Sequence, residues 1–255
     1  ETSPLATGDQ TGTRVKSADI LKLTGDTDIN AKHSLPTLDK TIHDGSATGV
    51  KSNTAAIGDI VPYDIKTAVP DVTGYDKYYF IVNDTLSSGL TYNGDLKVTI
   101  GGTEITRDTD GAGEVETGDY YVTTEGTTNI KVVFENALTL FKSKTAGAEI
   151  VISYTATLNS NAVITDDGNP NTASLVYSND PNADTANSSE PGTPDEPKEG
   201  GPVGETPESE VTTYTTALKL RKVDQSGNKL TGAKFQLKSN DLNEVKVTSS
   251  ETFVE

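Results

Sequence analysis

The run Glu149-Ile150-Val151-Ile152-Ser153-Tyr154-Thr155-Ala156-Thr157-Leu158 decides the fold. Ile150, Ile152, Tyr154, Ala156 and Leu158 fall at every second position, the period of a strand with one face buried. Tyr63, Ile65, Thr67 and Val69 repeat the pattern, as do Leu96, Val98 and Ile100, and then Ile130, Val132 and Phe134. From Leu35 onward these runs are rich in Thr and Val and are separated by Gly, Asp and Asn, the punctuation of antiparallel strands. Only Asn136 to Lys144 reads as helical, and briefly. The expectation is an all-β chain folded as an immunoglobulin-like β-sandwich.

Composition narrows the function classes. The 255 residues carry a net charge of −17, with 33% hydrophobic and 6% aromatic residues. Acidic residues are spread along the chain, so the clustered Lys and Arg of a nucleic-acid footprint are missing. Cys, Met and Trp are all absent, which removes disulfides, thiol catalysis and Cys-ligated metals. A chain without even an initiator Met reads as processed or excised. It shows no signal peptide, no apolar run long enough for membrane insertion and no sorting tail. Leu35-Pro36-Thr37-Leu38-Asp39 approaches a sortase signal but lacks its Thr-Gly ending.

Organisation follows from where the β pattern starts and stops. Residues 1–33 are a polar lead-in with one short strand or turn at Ile20 to Leu23. Residues 34–216 form the sandwich, including an acidic Pro-, Gly- and Ser-rich stretch at 182–210, too poor in large apolar residues to build a core. Residues 217–255 begin a second β unit with too few strands to close.

Three polar residues break the apolar phase. Lys40 shares a face with Leu38 and Ile42, Asp84 with Phe80 and Val82, and Asn179 with Ala173, Leu175 and Tyr177. One reading is that each sits at a frayed strand end and reaches solvent. The other uses their complementary chemistry. Burial lowers the pKa of a Lys and raises that of an Asp. A neutral amine can then attack the Asn amide carbon while the acid protonates departing ammonia. Proximity in a folded core supplies the effective concentration.

Asn169-Pro170-Asn171-Thr172-Ala173-Ser174-Leu175-Val176-Tyr177-Ser178-Asn179-Asp180-Pro181 resembles the terminal strand of isopeptide-forming domains in Gram-positive pilins. Ile57-Gly58-Asp59-Ile60-Val61-Pro62-Tyr63 and Phe80-Ile81-Val82-Asn83-Asp84-Thr85-Leu86, followed by Gly89-Leu90-Thr91-Tyr92, are similar to the same family in the same order. Ala217 to Asp224, with Leu230 to Leu237, resembles the opening of a collagen-adhesin B-type domain. The resemblance implies an A-like sandwich followed by the start of a B-like one. It implies a Lys40–Asn179 isopeptide bond assisted by Asp84. Asp64 is the runner-up acid, since it alternates out of phase with Tyr63 and Ile65, and Asp59 beside a turn Gly ranks with it. In the second unit it implies Lys219 as nucleophile, although Leu218 and Leu220 hold the opposite face, with Glu255 as acid and an Asn partner beyond the present end.

His33 and His43 lack the spacing of a zinc site. Asp166 and Asp167 form an oxygen-rich loop that offers ligands to Ca²⁺ but lacks a complete calcium-loop pattern; a plain turn is the simpler account. The Tyr75, Tyr78 and Tyr79 cluster is either a binding patch or strand packing. The expected function is structural: a shaft subunit of a pilus or surface stalk, cell wall-anchored and extracellular, joined by sortase to neighbouring pilin subunits. The rival within the same scaffold is an adhesin or accessory pilin holding a host ligand. A surface glycosidase is the third reading, weakened by the lack of an acid/base pair.

Overall fold

The computed structural model describes residues 35–45, 48–109, 118–181, 203–216, 222–228 and 230. Two β-sheets face each other. The first runs β1 (Asp39–Ile42), β3 (Ile60–Ala68), β10 (Glu149–Leu158), β6 (Lys97–Ile100) and β7 (Thr103–Glu104), with β5 (Leu90–Tyr92) also paired to β10. The second runs β2 (Ser52–Thr54), β13 (Ser209–Tyr214), β11 (Asn169–Ser178), β4 (Phe80–Leu86), β9 (Asn129–Phe134) and β8 (Tyr120–Glu125), with β12 (Val203–Glu205) also on β11. Pairing is antiparallel among these neighbours except between β13 and β2, which run parallel.

The alternation in β3 and β10 is the physical cause of the layering. Val61, Tyr63 and Ile65 of one strand and Ile150, Ile152, Tyr154, Ala156 and Leu158 of the other point into the sandwich and are buried. Their register sets Ile152 opposite Ile65 and Tyr154 opposite Tyr63, so the two apolar rows lie side by side. From the other sheet come Phe80, Val82, Val132, Phe134, Leu175 and Tyr177. A six-residue helix α1 (Ala137–Lys142) closes one end by burying Leu140 and Phe141. Phe141 meets Phe80 edge-on at 5.1 Å between ring centroids, a geometry that aromatic quadrupoles favour, and lies tilted against Phe134 at 5.7 Å.

The acidic stretch at 182–210 is not all connector. Gly204 pairs with Tyr177, and Ser209 pairs with Ala173. The signal was hidden because Val203-Gly204-Glu205 lacks apolar alternation and is defined by what it packs on. A Cβ at Gly204 would fall onto the Tyr177 ring, so the strand approaches closely only because the side chain is missing. Among the described residues no helix is long and apolar enough to cross a membrane.

Candidate cross-linking site

Lys40 enters the core because β1 pairs with β3 in a register that places it opposite Ile65. Side chains directly opposed across a ladder share a face, so Lys40 follows Ile65 inward and is 0% exposed. The strand is pinned from outside. Lys40 N donates to Ser209 Oγ at 2.9 Å, and Lys51 Nζ donates to Lys40 O at 2.5 Å and to Asp39 Oδ1 at 2.6 Å. On the facing sheet Asp84 of β4 lies opposite Ala173 of β11. Asn171, two positions along on the same face, is 0% exposed.

These residues meet at one phenol. Lys40 Nζ donates to Asp84 Oδ2 at 2.5 Å and to the Tyr154 hydroxyl at 2.8 Å. Tyr154 donates to Asp84 Oδ2 at 2.7 Å, and Asn171 Nδ2 donates to the Tyr154 oxygen at 2.8 Å. Lys40 Nζ also sits 5.4 Å and 5.1 Å from the ring centroids of Tyr63 and Tyr154, within cation–π range. Among the described residues, neither Oδ1 of Asp84 nor Oδ1 of Asn171 accepts a hydrogen bond. Such orphaned acceptors are costly in a core and call for a functional account.

Burial sets the protonation chemistry. It pushes the Lys40 amine down to about 8, against the opposing pull of the Asp84 charge. It raises the Asp84 carboxyl above the ordinary carboxylate range, against hydrogen bonds from Lys40 and Tyr154. Both shifts favour moving one proton from the ammonium to the carboxylate, which leaves a neutral amine beside an amide.

Lys40 and Asp84 come together as their alternation suggests. Asn179 lies elsewhere. It follows the end of β11, where Tyr177 pairs with Phe80, whereas Asp84 is level with Ala173. Six residues of strand separate those levels, about 20 Å at the usual rise. The amide that reaches the Lys40 cluster is that of Asn171, which shares its face with Ala173, Leu175 and Tyr177; the in-phase signal that singled out Asn179 marks Asn171 equally. Tyr154 gave no separate signal, since an in-phase tyrosine reads as ordinary core. Asp64 is on the outer face of β3, where it accepts from Ser153 Oγ at 2.7 Å and lies 3.3 Å from His43 Nδ1. Asp59 accepts from the Ala56 amide in an exposed turn.

Tyr75, Tyr78 and Tyr79 are core, at 4%, 1% and 0% exposure, so they offer no binding patch. Asp166 and Asp167 are exposed, and no group of three His, Cys, Asp or Glu residues suited to a metal occurs among the described residues. His33, Lys219 and Glu255 lie outside the described residues. Of the proposed second unit, the turn at Asp224 is visible: its carboxylate accepts from the amides of Ser226 and Asn228.

Residues 57–181 match the family model for the Gram-positive pilin backbone subunit 2, Cna-B-like domain. The B-like description falls on the first sandwich, where the sequence resemblance reads as A-like. The chain is similar to the trypsin-resistant surface T6 protein of Streptococcus pyogenes serotype M6, at 29% identity over 219 residues, 84% of this chain and 38% of that protein. The solved T6 backbone pilin, described as modular and three-domain, superposes with a TM-score of 0.59 at 27% identity, covering 78% of this chain and 40% of that one. The major pilin subunit BcpA of Bacillus cereus gives a TM-score of 0.53 at 25% identity, over 84% of this chain and 50% of BcpA. The chain thus spans about two fifths of the T6 protein's length.

Proposed function

We propose that this chain is part of a pilus shaft subunit whose sandwich is closed by an isopeptide bond between Lys40 Nζ and Asn171 Cγ. The observation that carries the bond is the buried cluster in which a Lys with a lowered pKa, an acid and an amide all contact one hydroxyl. Asp84 first accepts a proton from Lys40. The neutral amine then attacks Asn171 Cγ, the Cγ–Nδ2 bond breaks as the proton held by Asp84 passes to Nδ2, ammonia leaves, and Nζ gives its surplus proton back to Asp84. The reaction occurs once per chain, with no substrate turned over. Fixing the two groups in a dry core is the main source of acceleration. The pilin-backbone match and the T6 relative support the shaft role, with sortase joining subunits into a fibre displayed at the cell wall.

Intact mass tests the bond. The folded chain should weigh one ammonia less than its sequence, and a digest should contain a branched peptide joining Lys40 to Asn171. Asn171→Ala should restore full mass, while Asn179→Ala should not. A full-mass parent, or a branch ending at Asn179, overturns the assignment.

A further inference from the structure

The geometry points to Tyr154 as a catalytic proton relay: its hydroxyl passes the proton held by Asp84 to the departing Nδ2 of Asn171. This rests on the Lys40–Asn171 reading and supplies the route by which the proton of Asp84 reaches Nδ2. The hydrogen bonds of Asp84 Oδ2 run to Lys40 and Tyr154, and that of Asn171 Nδ2 runs to Tyr154. The phenol therefore stands between the acid and the leaving group. It accepts from the amide nitrogen at 2.8 Å and donates to the carboxylate at 2.7 Å; once Lys40 has protonated Asp84, both bonds reverse, with Asp84 donating to the phenol oxygen and the phenol donating to Nδ2.

The proton has few other routes. Lys40 and Asn171 are 0% exposed, Asp84 is 2% and Tyr154 is 3%, so bulk water does not reach the leaving nitrogen. An amide departs poorly as an anion and leaves as ammonia once protonated. As the Cγ–Nδ2 bond breaks, the Tyr154 proton moves to Nδ2 and the Asp84 proton moves to the Tyr154 oxygen. The attacking Nζ then gives its surplus proton to Asp84. Counting from the ammonium and carboxylate, the products are the secondary amide, neutral ammonia and a protonated Asp84, with Tyr154 unchanged. Burial and the nearby Asp84 charge keep the phenol protonated well above its usual range. A free phenolate does not accumulate, and the two transfers are concerted.

Position is held independently of the hydroxyl. The Tyr154 ring stacks on Tyr63 at 5.4 Å and meets Tyr92 edge-on at 5.6 Å, contacts that phenylalanine keeps. The full chain is made by cell-free synthesis, and the loss of ammonia is followed by intact mass for the parent, Tyr154→Phe, and a chain with ring-fluorinated tyrosine at position 154. The Phe chain should link about 10²- to 10⁴-fold more slowly than the parent, the range for removing a general acid. Fluorination makes the phenol a stronger acid and should change the rate while the circular dichroism of the sandwich stays the same. A Phe chain that links at the parental rate overturns the relay and leaves the cross-link standing. If the Phe chain does not fold, the fluorinated chain decides, and a rate equal to the parent's overturns the relay. A parent that keeps its full mass removes the bond itself, and the relay with it.

Discussion

Replacing Asn171 by Ala should separate the proposed covalent bond from the fold that would make it. The variant keeps Lys40, Asp84 and Tyr154 in place and removes only the acceptor amide. A link between Lys40 and Asn171 closes a loop of about 130 residues, which the chain-entropy treatment of cross-links values at about 5 kcal/mol. The lost hydrogen bond from Nδ2 to Tyr154 adds about 1 kcal/mol. For a domain of this size each kcal/mol moves the melting temperature by about 2–4 °C, so the variant should melt about 10–25 °C below the parent. Differential scanning calorimetry on both chains, with intact mass on the same samples, makes the comparison. Asn179→Ala is the internal control; it leaves the link intact and should fall only a few degrees, as for about one hydrogen bond. The reasoning is refuted if Asn171→Ala melts within a few degrees of a parent that lacks one ammonia. A large drop in Asn179→Ala with none in Asn171→Ala refutes it equally.

Asp84→Ala should remain folded by circular dichroism yet keep its full mass, whereas Asp64→Ala should cross-link completely, because Asp64 faces Ser153 and His43 on the outer surface. Gly204→Ala should cost about 1–3 kcal/mol in urea unfolding, the range for overpacking, because the new methyl meets the Tyr177 ring. In unlinked Asn171→Ala protein, the folded Lys40 amine titrates near 8 and the unfolded one near 10.5. Between those values the unfolded chain binds more protons, so the Lys40 contribution to stability should rise with pH across that window and stay flat below it. Urea midpoints for Asn171→Ala should show this rise, and adding Lys40→Met should abolish it.

The layers of the fold were legible because β3 and β10 each bury one face, and period-2 patterning records that in the residues themselves. Lys40 and Asp84 were legible for the same reason, as charges in an apolar phase. The amide beside them was not, because Asn171 and Asn179 occupy the same phase of one strand. Only the pairing of β11 with β4 shows which of them lies near Asp84, whose partner Ala173 is two positions from Asn171 and six from Asn179, and register between distant strands is not written in either strand alone. Tyr154 escaped notice for the opposite reason. Its ring satisfies the pattern fully, and what sets it apart is a hydroxyl whose neighbours come from β1, β4 and β11. The helix Ala137–Lys142 follows the brief helical reading of the sequence.

β13 follows Asn171 in the chain and is held to β11 and β2 by hydrogen bonds. With Lys40 bonded to Asn171, a pull on the two ends of the sandwich leaves everything between those residues unstressed. The rest of β11, with β12 and β13, stays in line with the force. If those strands peel away, about 40 residues straighten and the domain lengthens by about 150 Å before the bond takes the strain. Without the bond, the whole span from β1 to β13 would pay out about 600 Å. The sandwich then behaves as a spring with a fixed stroke, yielding over a short distance and stopping hard.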